Sequence, residues 1–170
     1  MSKKPLIGVV MGSDSDWSLV KKSVDVFKKF DVEFEARVIS AHRTPELAAE
    51  YASSAEERGL QVIIAAAGGA AHLAGVLAAH TVLPVIGIPV VGGALNGLDS
   101  LYATIQMPSG IPVATVSLGN AGPVNAALFA IQILGGSNPE LRAGFHDYKE
   151  ELKEKVTKGN ERVNADLQNE

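Results

Sequence analysis

The sequence predicts a three-layer α/β fold in which a parallel sheet of five or so strands is covered by helices on both faces. Five short segments rich in Val and Ile alternate with segments of helical spacing along the chain. Most of these short segments carry few polar side chains, which is typical of parallel strands buried on both faces. Regular alternation of strand and helix favours a doubly wound sheet, with any ligand site outside the carboxyl ends of the strands.

Turn and capping residues set the boundaries of the elements. The predicted strands cover residues 5–11, 33–39, 61–67, 84–90 and 113–117, and the predicted helices cover 17–30, 45–58, about 70–80, 98–106, 123–134 and 139 onward. Val20, Val24 and Phe27 share one face of the first helix. Thr44 is a suitable N-cap for the second helix, Pro45 suits its first position, and Gly59 ends it.

The 170 residues predict a single domain, with a core at about 5–136 and a helical tail at about 138–170. The tail differs from the core in composition. Twelve of the 24 residues from Asp147 onward are charged. Tyr148, Leu152 and Val156 form an i, i+4, i+8 stripe, which predicts a peripheral amphipathic helix that frays near Gly159. This helix packs either on its own domain or on a neighbouring subunit. Its favourable charge pairs are Glu151–Lys155 and Glu154–Lys158.

Composition narrows the classes of function. The chain carries 15 basic and 19 acidic side chains, a net charge of −4, which argues against nucleic acid or an anionic membrane as a partner. No stretch is long and apolar enough to span a bilayer, and the first residues do not have the pattern of a signal peptide. The absence of cysteine excludes thiol nucleophiles, disulfides and Cys-ligated metals, and it fits a cytoplasmic protein.

Charge is distributed unevenly along the chain. Among the 81 residues from Gly59 to Pro139, Asp99 is the one charged side chain, and all ten lysines lie outside this segment. Helices without charged residues need burial on all sides, so the pattern favours a homo-oligomer in which other subunits cover this segment. A central sheet that is well buried within one subunit is the alternative.

Polar residues follow the first predicted strand, in the segment MGSDSDW (11–17). Backbone N–H groups at a helix start favour an anion such as phosphate. Ser13 and Ser15 can donate hydrogen bonds to that anion, Asp16 can accept from ribose hydroxyls, and we expect Asp14 to point outward. Plain helix capping by these residues is the alternative. The segment lacks the Lys of a P-loop and the Gly-x-Gly-x-x-Gly pattern, and no response-regulator Lys follows the fifth strand.

The segment SAHRTP (40–45) follows the second predicted strand. Arg43 carries a planar, permanent cation that suits an anion. His42 can give and take a proton near neutral pH, which makes it a candidate general acid/base. A loop histidine beside an exposed arginine is the alternative.

The segment AGGAAHL (67–73) follows the third predicted strand, and its small residues would let the backbone approach a flat ligand closely. His72 either orients that ligand or has a structural role, and we expect His80 and His146 to be structural or exposed. No carboxylate stands at ligand spacing from these histidines, so no metal site is predicted. Because parallel strands share one carboxyl edge, the three loops are expected to meet there.

Six ordered segments together resemble the PurE family. The matching segments are MGSDSDW (11–17), SAHRTP (40–45), AGGAAHLAG (67–75), LPVIGIPV (83–90), LDSLYATIQMPSG (98–110) and IPVATVSLGNAGPVNAALFAIQIL (111–134). The resemblance implies a flavodoxin-like subunit that assembles as an octamer. One departure is visible, because the family usually has HLPG where this chain has HLAG (72–75). We expect this change to loosen the turn and to leave the roles of His72 and Gly68 intact.

The resemblance also implies the roles of the site residues. His42 is implied as the catalytic acid/base, and the loop 68–73 would cover the imidazole ring of the substrate and the migrating carboxylate. The implied substrate-binding set is Ser13, Ser15, Asp16, Ser40, Ala41, Arg43, Gly68, Ala70, His72 and Leu73, with Ser15 and Ser40 near the phosphate.

The implied reaction converts N5-carboxyaminoimidazole ribonucleotide into 4-carboxyaminoimidazole ribonucleotide in purine biosynthesis. CO2 is lost from N5 and added back at C4. Such an isomerase needs no metal, biotin or ATP, so no cofactor is expected. Two alternatives stay open: an enzyme that carboxylates aminoimidazole ribonucleotide with free CO2, and a non-catalytic nucleotide-binding module on the same fold.

Overall fold

A computed structural model describes residues 4–168 as a five-stranded parallel sheet between two layers of helices. The strands are β1 Ile7–Met11, β2 Phe34–Val38, β3 Val62–Gly68, β4 Val85–Val90 and β5 Ala114–Thr115. The helices are α1 Trp17–Val20, α2 Lys22–Lys29, α3 Pro45–Ser53, α4 Leu73–Ala79, α5 Leu98–Ile105, α6 Ala121–Gly135 and α7 Pro139–Gln168. The predicted three-layer, doubly wound architecture is confirmed.

The strand order β2-β1-β3-β4-β5 defines a flavodoxin-like topology, as expected. All neighbouring strands are parallel, and Ile7 of β1 is in register with Phe34 of β2 on one side and with Val62 of β3 on the other. The chain moves outward from β1 to β2 and then returns to β3 on the opposite side of β1. Doubly wound sheets bind ligands at such a reversal, outside the carboxyl ends of the strands.

Two apolar clusters attach the helices to opposite faces of the sheet. Phe27 of α2 and Ile131 of α6 pack on one face, and Ala52 of α3 and Leu77 of α4 pack on the other. All four side chains are at most 1% exposed. Burying a Phe, Ile or Leu side chain contributes about 1.5–3 kcal/mol, so both clusters hold the strand ends firmly in place.

The first predicted helix, 17–30, is interrupted. α1 and α2 are separated at Lys21, and a 3₁₀ turn at Asp14–Asp16 precedes α1. The buried hydroxyl of Ser23 donates a hydrogen bond to the Val20 carbonyl. A side-chain donor of this kind competes with the helical hydrogen-bond ladder, which accounts for the break.

Several other boundaries differ from the prediction. α3 ends at Ser53 instead of residue 58, because the Ser53 and Ser54 hydroxyls both donate to the Glu50 carbonyl, at 3.2 and 2.8 Å, and turns follow. β5 is only two residues long, since its ladder with β4 pairs Ala114 and Thr115 alone. α6 begins two residues before the predicted start.

The long helix α7 is unbroken, so the predicted fraying near Gly159 is wrong. One internal glycine costs a helix about 1 kcal/mol relative to alanine, which a helix of 30 residues tolerates. The predicted pair Glu154–Lys158 is present at 3.8 Å. Glu151, however, pairs with Lys29 of α2 instead of the lysine four residues further on. Within the described residues, no helix has the length and apolar character needed to cross a membrane.

Only the first part of α7 packs on its own domain. The rings of Phe145 and Tyr148 lie 6.1 and 5.9 Å from the ring of Phe30 at the end of α2. Further along the helix, Leu152 is 40% exposed and Val156 is 73% exposed. The apolar stripe predicted for the tail therefore continues beyond the part that its own domain covers.

Candidate active site

The loop after β1 is held together by capping hydrogen bonds. The backbone of Ser13 is extended, and its Oγ accepts a hydrogen bond from the Ser15 N–H at 3.3 Å. The Ser15 hydroxyl donates to the same oxygen at 2.9 Å, and the Ser13 hydroxyl donates to Asp14 Oδ1 at 3.2 Å. Helix capping, the alternative interpretation of this segment, thus applies to Ser13.

Arg43 connects the loops after β1 and β2. Its backbone N–H and its Nε donate to Ser40 Oγ at 3.2 and 3.4 Å, and its Nη2 donates to the Gly12 carbonyl at 3.0 Å. Thr44 precedes α3 but does not cap it with its side chain, because its Oγ1 bonds the N–H and the carbonyl of Ser40, both at 3.0 Å. Two of the five guanidinium N–H donors are used in these contacts, which leaves others for an anion.

The loop after β3 brings His72 next to His42. Gly69 has a φ of 61°, a left-handed conformation that glycine adopts without strain. His72 Nδ1 lies 2.8 Å from His42 Nε2, and the two ring planes are inclined by 83°. Ala74, which replaces the family's proline, is buried in the first turn of α4, where alanine is well tolerated.

These three loops surround one cavity of about 410 Å³, the site cavity, at the reversal between β1 and β3. Its lining residues are Gly12, Ser13, Asp16, Ser40, Ala41, His42, Arg43, Ala67, Gly68, Ala70, His72 and Leu73. Ten of the eleven site residues expected from the sequence are in this set. The eleventh, Ser15, is not. The expected meeting of the three strand-end loops is therefore observed.

A second cavity of about 610 Å³, the flanking cavity, continues along the same edge of the sheet. It shares Asp16 and Gly68 with the site cavity, and Ser15 lies in its wall. The side chain of Lys22 donates a hydrogen bond to Asn120 Oδ1 there. The remaining lining residues are Ser18, Leu19, Gly69, Val90, Val91, Gly92, Gly93 and Gly119.

Sequence reasoning missed several residues of the two cavities. Gly12 and Ala67 each stand at a carboxyl end of a strand, and that position alone could have identified them. Lys22 lies about one helical turn beyond the loop after β1. Its spacing along the helix could therefore have indicated that its side chain lies near that loop. The glycines after β4 and β5 carry no side-chain chemistry that would have indicated a cavity.

Asp16 stands where the two cavities join. Burial raises the pKa of its carboxyl above the ordinary value, a backbone hydrogen bond with Ser13 lowers the pKa in part, and the charge of Asp14 raises it further. Asp14 itself is exposed and lines neither cavity, in keeping with its expected outward direction. A partly desolvated carboxylate suits hydroxyl donors, whereas it would repel a phosphate.

The site cavity combines three chemical capacities. The imidazole of His42 can carry a proton, the guanidinium of Arg43 can bind an anion, and Asp16 can accept hydrogen bonds from hydroxyls. Across residues 4–168, no three His, Asp or Glu side chains gather closely enough to hold a metal ion. His80 and His146 line neither cavity.

The fold and the cavity together define the class: a flavodoxin-like protein whose strand-end cavity is lined by an imidazole and a guanidinium. A family model described as AIR carboxylase matches residues 6–155. The chain belongs to this family, that of the PurE proteins.

Similar proteins of known name extend over nearly all of the chain. The N5-carboxyaminoimidazole ribonucleotide mutase of Pyrococcus horikoshii is 57% identical over 155 residues, which are 91% of this chain and 86% of the relative. The mutase of the same name from Bacillus subtilis is 50% identical over 160 residues, 94% of this chain and 99% of the relative. The crystal structure of Treponema denticola PurE superposes with a TM-score of 0.83 at 29% identity, over 93% of this chain and 98% of that one.

Proposed function

We propose that this protein is an N5-carboxyaminoimidazole ribonucleotide mutase, an isomerase of purine biosynthesis. One observation carries the proposal: His42, Arg43 and Asp16 line a single cavity at the strand reversal. Two relatives that bear this name match more than nine tenths of the chain at 57% and 50% identity, which supports the same activity here.

In this proposal the ribonucleotide extends along the site cavity. Arg43 and the hydroxyls of Ser13 and Ser40 bind the phosphate, because a guanidinium and hydroxyl groups are strong donors to a dianion. Asp16 accepts hydrogen bonds from the ribose hydroxyls. Ser15 contributes from the adjoining rim of the flanking cavity. The imidazole ring of the substrate lies against the small or apolar residues Ala41, Gly68, Ala70 and Leu73.

His42 transfers the proton in both half-reactions. As the N5–carboxylate bond breaks, its electron pair returns to N5, which takes a proton from His42, and CO2 remains in the cavity. C4 of the ring then attacks CO2, and His42 removes the C4 proton, so the ring regains aromaticity and His42 regains its proton. The protein holds CO2 beside C4 and excludes water, which is a proximity effect. The carboxyl group on N5 of the substrate is a carbamate, and it was activated when that carbamate was formed. The reaction proposed here therefore needs no metal, biotin or ATP.

Carboxylation of aminoimidazole ribonucleotide with free CO2 is the second candidate, and the description of the matching family, AIR carboxylase, favours it. The test is to supply each ribonucleotide with and without bicarbonate and to measure 4-carboxyaminoimidazole ribonucleotide. We expect rapid conversion of the N5-carboxylated substrate without bicarbonate. Efficient use of the unmodified ribonucleotide at ordinary bicarbonate levels would support the carboxylase instead. If the protein converts neither ribonucleotide, the remaining alternative is a non-catalytic nucleotide-binding module.

We also propose that the subunits form an octamer in the cytoplasm. Leu98, Tyr102 and Ile105 follow an i, i+4, i+7 pattern on α5 and are 50%, 58% and 44% exposed. An apolar helix face of this kind usually lies against another protein surface, and it belongs to the charge-poor segment 59–139. Light scattering of the purified protein measures the mass of the assembly directly.

A further inference from the structure

The hydroxyl of Ser13 is fully occupied, although Ser13 lines the site cavity. Its oxygen accepts hydrogen bonds from the Ser15 N–H at 3.3 Å and from the Ser15 hydroxyl at 2.9 Å. Its single hydrogen is donated to Asp14 Oδ1 at 3.2 Å. A carboxylate only accepts hydrogen bonds, so this contact fixes the direction in which the Ser13 hydroxyl donates. That hydrogen is therefore not free for a ligand in the site cavity.

Asp14 binds the Ser13 hydroxyl from outside the cavity. Its side chain is exposed and lines neither cavity, so its effect on a ligand there runs through Ser13 or through its charge. The charge does reach the cavity wall. Burial raises the pKa of the Asp16 carboxyl most, a backbone hydrogen bond with Ser13 lowers it in part, and the negative charge of Asp14 raises it further. A phosphate beside Ser13 would meet the same negative charge.

We infer that Asp14 is a specificity-determining residue, which holds the Ser13 hydroxyl away from the phosphate and so weakens binding of the phosphorylated ligand. The inference rests on the proposed function, in which Ser13 donates to that phosphate. A serine hydroxyl has one hydrogen, so Ser13 can donate to the phosphate only after its bond to Asp14 is broken. Both bonds are charge-assisted, so the exchange yields little net free energy. Asp14 thus reduces the preference of the site for the ribonucleotide over the nucleoside.

Two substitutions at Asp14 separate the hydrogen bond from the charge. Asp14→Asn removes the charge and keeps an oxygen that accepts from Ser13, whereas Asp14→Ala removes both. We expect the affinity for aminoimidazole ribonucleotide at low ionic strength to rise about twofold in Asp14→Asn and about threefold to tenfold in Asp14→Ala. The affinity for the dephosphorylated nucleoside should not change. Isothermal titration calorimetry measures both ligands.

Steady-state kinetics give a second readout of the same variants. Substrate and product carry the same phosphate, and it takes no part in the bonds that change. An interaction that is equal in the ground state and the transition state alters KM and leaves kcat nearly unchanged. We therefore expect Asp14→Ala to lower KM by about the factor of its gain in affinity, with kcat within about twofold of wild type.

Two controls isolate the contact between Asp14 and Ser13. Asp25→Asn makes the same change in net charge at an exposed position of α2 that lines neither cavity, and its affinity should change by less than about twofold. In a Ser13→Ala background the contested donor is missing. Asp14→Asn and Asp14→Ala should then give equal gains.

Three results would overturn the inference: no gain in affinity in Asp14→Ala, a gain of the same size for the nucleoside, or equal gains in the Asn and Ala variants while Ser13 is present. The third result would assign the effect to charge alone.

Titration with inorganic phosphate, followed by phosphorus NMR, repeats the comparison without the ribonucleotide. Phosphate affinity should rise in the same order, with Asp14→Ala above Asp14→Asn and both above the wild type. Unchanged phosphate affinity in Asp14→Ala contradicts the inference. Absence of mutase turnover in the wild type would instead count against the proposed function, and the phosphate titration would still decide the role of Asp14.

Discussion

Two cavities lie side by side at the carboxyl edge of the sheet, and the larger is the poorer candidate for the reaction. The flanking cavity, about 610 Å³, has a wall rich in glycine, with Lys22 hydrogen-bonded to Asn120. The site cavity, about 410 Å³, brings together two imidazoles and a guanidinium. Converging polar groups, not volume, distinguish a reaction site from a surface depression.

The difference between the cavities comes from the loops that form them. The site cavity lies at the strand reversal, where the loops after β1, β2 and β3 are joined by side-chain hydrogen bonds such as that from Arg43 to the Gly12 carbonyl, at 3.0 Å. The flanking cavity takes much of its wall from the loops after β4 and β5, where Gly92, Gly93 and Gly119 offer only backbone groups. The following substitutions test whether substrate binding and catalysis take place in the site cavity alone.

The largest effect is expected for His42→Asn. Asparagine keeps a polar side chain of similar size but cannot carry a proton near neutral pH, and general acid–base catalysis contributes about 10²–10⁴-fold to rates. We expect turnover of the N5-carboxylated substrate to fall by that factor, while aminoimidazole ribonucleotide binds within about threefold of wild type. Initial rates and isothermal titration calorimetry measure the two quantities.

His80→Asn is the control for His42→Asn, because His80 is exposed and lines neither cavity. Its turnover should match the wild type. Unchanged turnover in His42→Asn would mean that the reaction does not take place in the site cavity. The proposed difference between the two cavities would then be wrong.

A smaller effect, on binding, is expected for Arg43→Ala. The guanidinium is a charged donor, and a hydrogen bond to a charged group contributes about 1.5–3 kcal/mol, so affinity for the phosphorylated ligand should fall about tenfold to a hundredfold. Affinity for the dephosphorylated nucleoside should be nearly unchanged. Calorimetry at constant ionic strength measures both, since added salt would screen the interaction.

Lys22→Met is the matched control for Arg43→Ala, because it removes the cation of the flanking cavity and keeps a side chain of similar length. We expect less than a twofold change in affinity for the phosphorylated ligand. A larger loss in Lys22→Met than in Arg43→Ala would place the phosphate in the flanking cavity instead.

The positions of the strand-end loops could be predicted because they follow from topology. Apolar segments alternating with helices require a parallel sheet, and a parallel sheet brings its loops to one edge. The break between α1 and α2 could not be predicted in the same way, because it depends on one buried hydroxyl, that of Ser23. The continuity of α7 through Gly159 was also missed, since a cost of about 1 kcal/mol does not decide the state of a 30-residue helix.

Within the site, residue types were easier to predict than contacts. The donor capacity of Arg43 and the proton capacity of His42 are properties of the side chains themselves. Their partners depend on loop conformations that no local pattern specifies: the Gly12 carbonyl for Arg43, and His72 for His42. The flanking cavity was missed because its wall is mainly glycine backbone and small side chains.

The smallest effect is expected for Asp16→Asn, at the junction of the two cavities. Burial raises the pKa of Asp16 above its ordinary 3.8, so the folded protein binds this proton more tightly than the unfolded chain does. The stabilisation is therefore fully present below pH 3.8 and is lost as the pH rises through the higher folded value. At neutral pH the ionised carboxylate destabilises the fold, and Asn removes that charge.

We expect Asp16→Asn to raise Tm by no more than about 2 °C at pH 7, with the gain shrinking as the pH falls toward 4. The exposed neighbour supplies the control: Asp14→Asn should raise Tm less, because its charge is already solvated. Calorimetric unfolding at both pH values measures the difference. The amide offers a weaker acceptor than the carboxylate, so affinity for the ribonucleotide should fall several-fold at the same time. A lower Tm at pH 7 would mean that Asp16 stabilises the loop after β1. A gain independent of pH would mean that the effect does not come from the charge of Asp16. Either result would contradict a desolvated charge at this position.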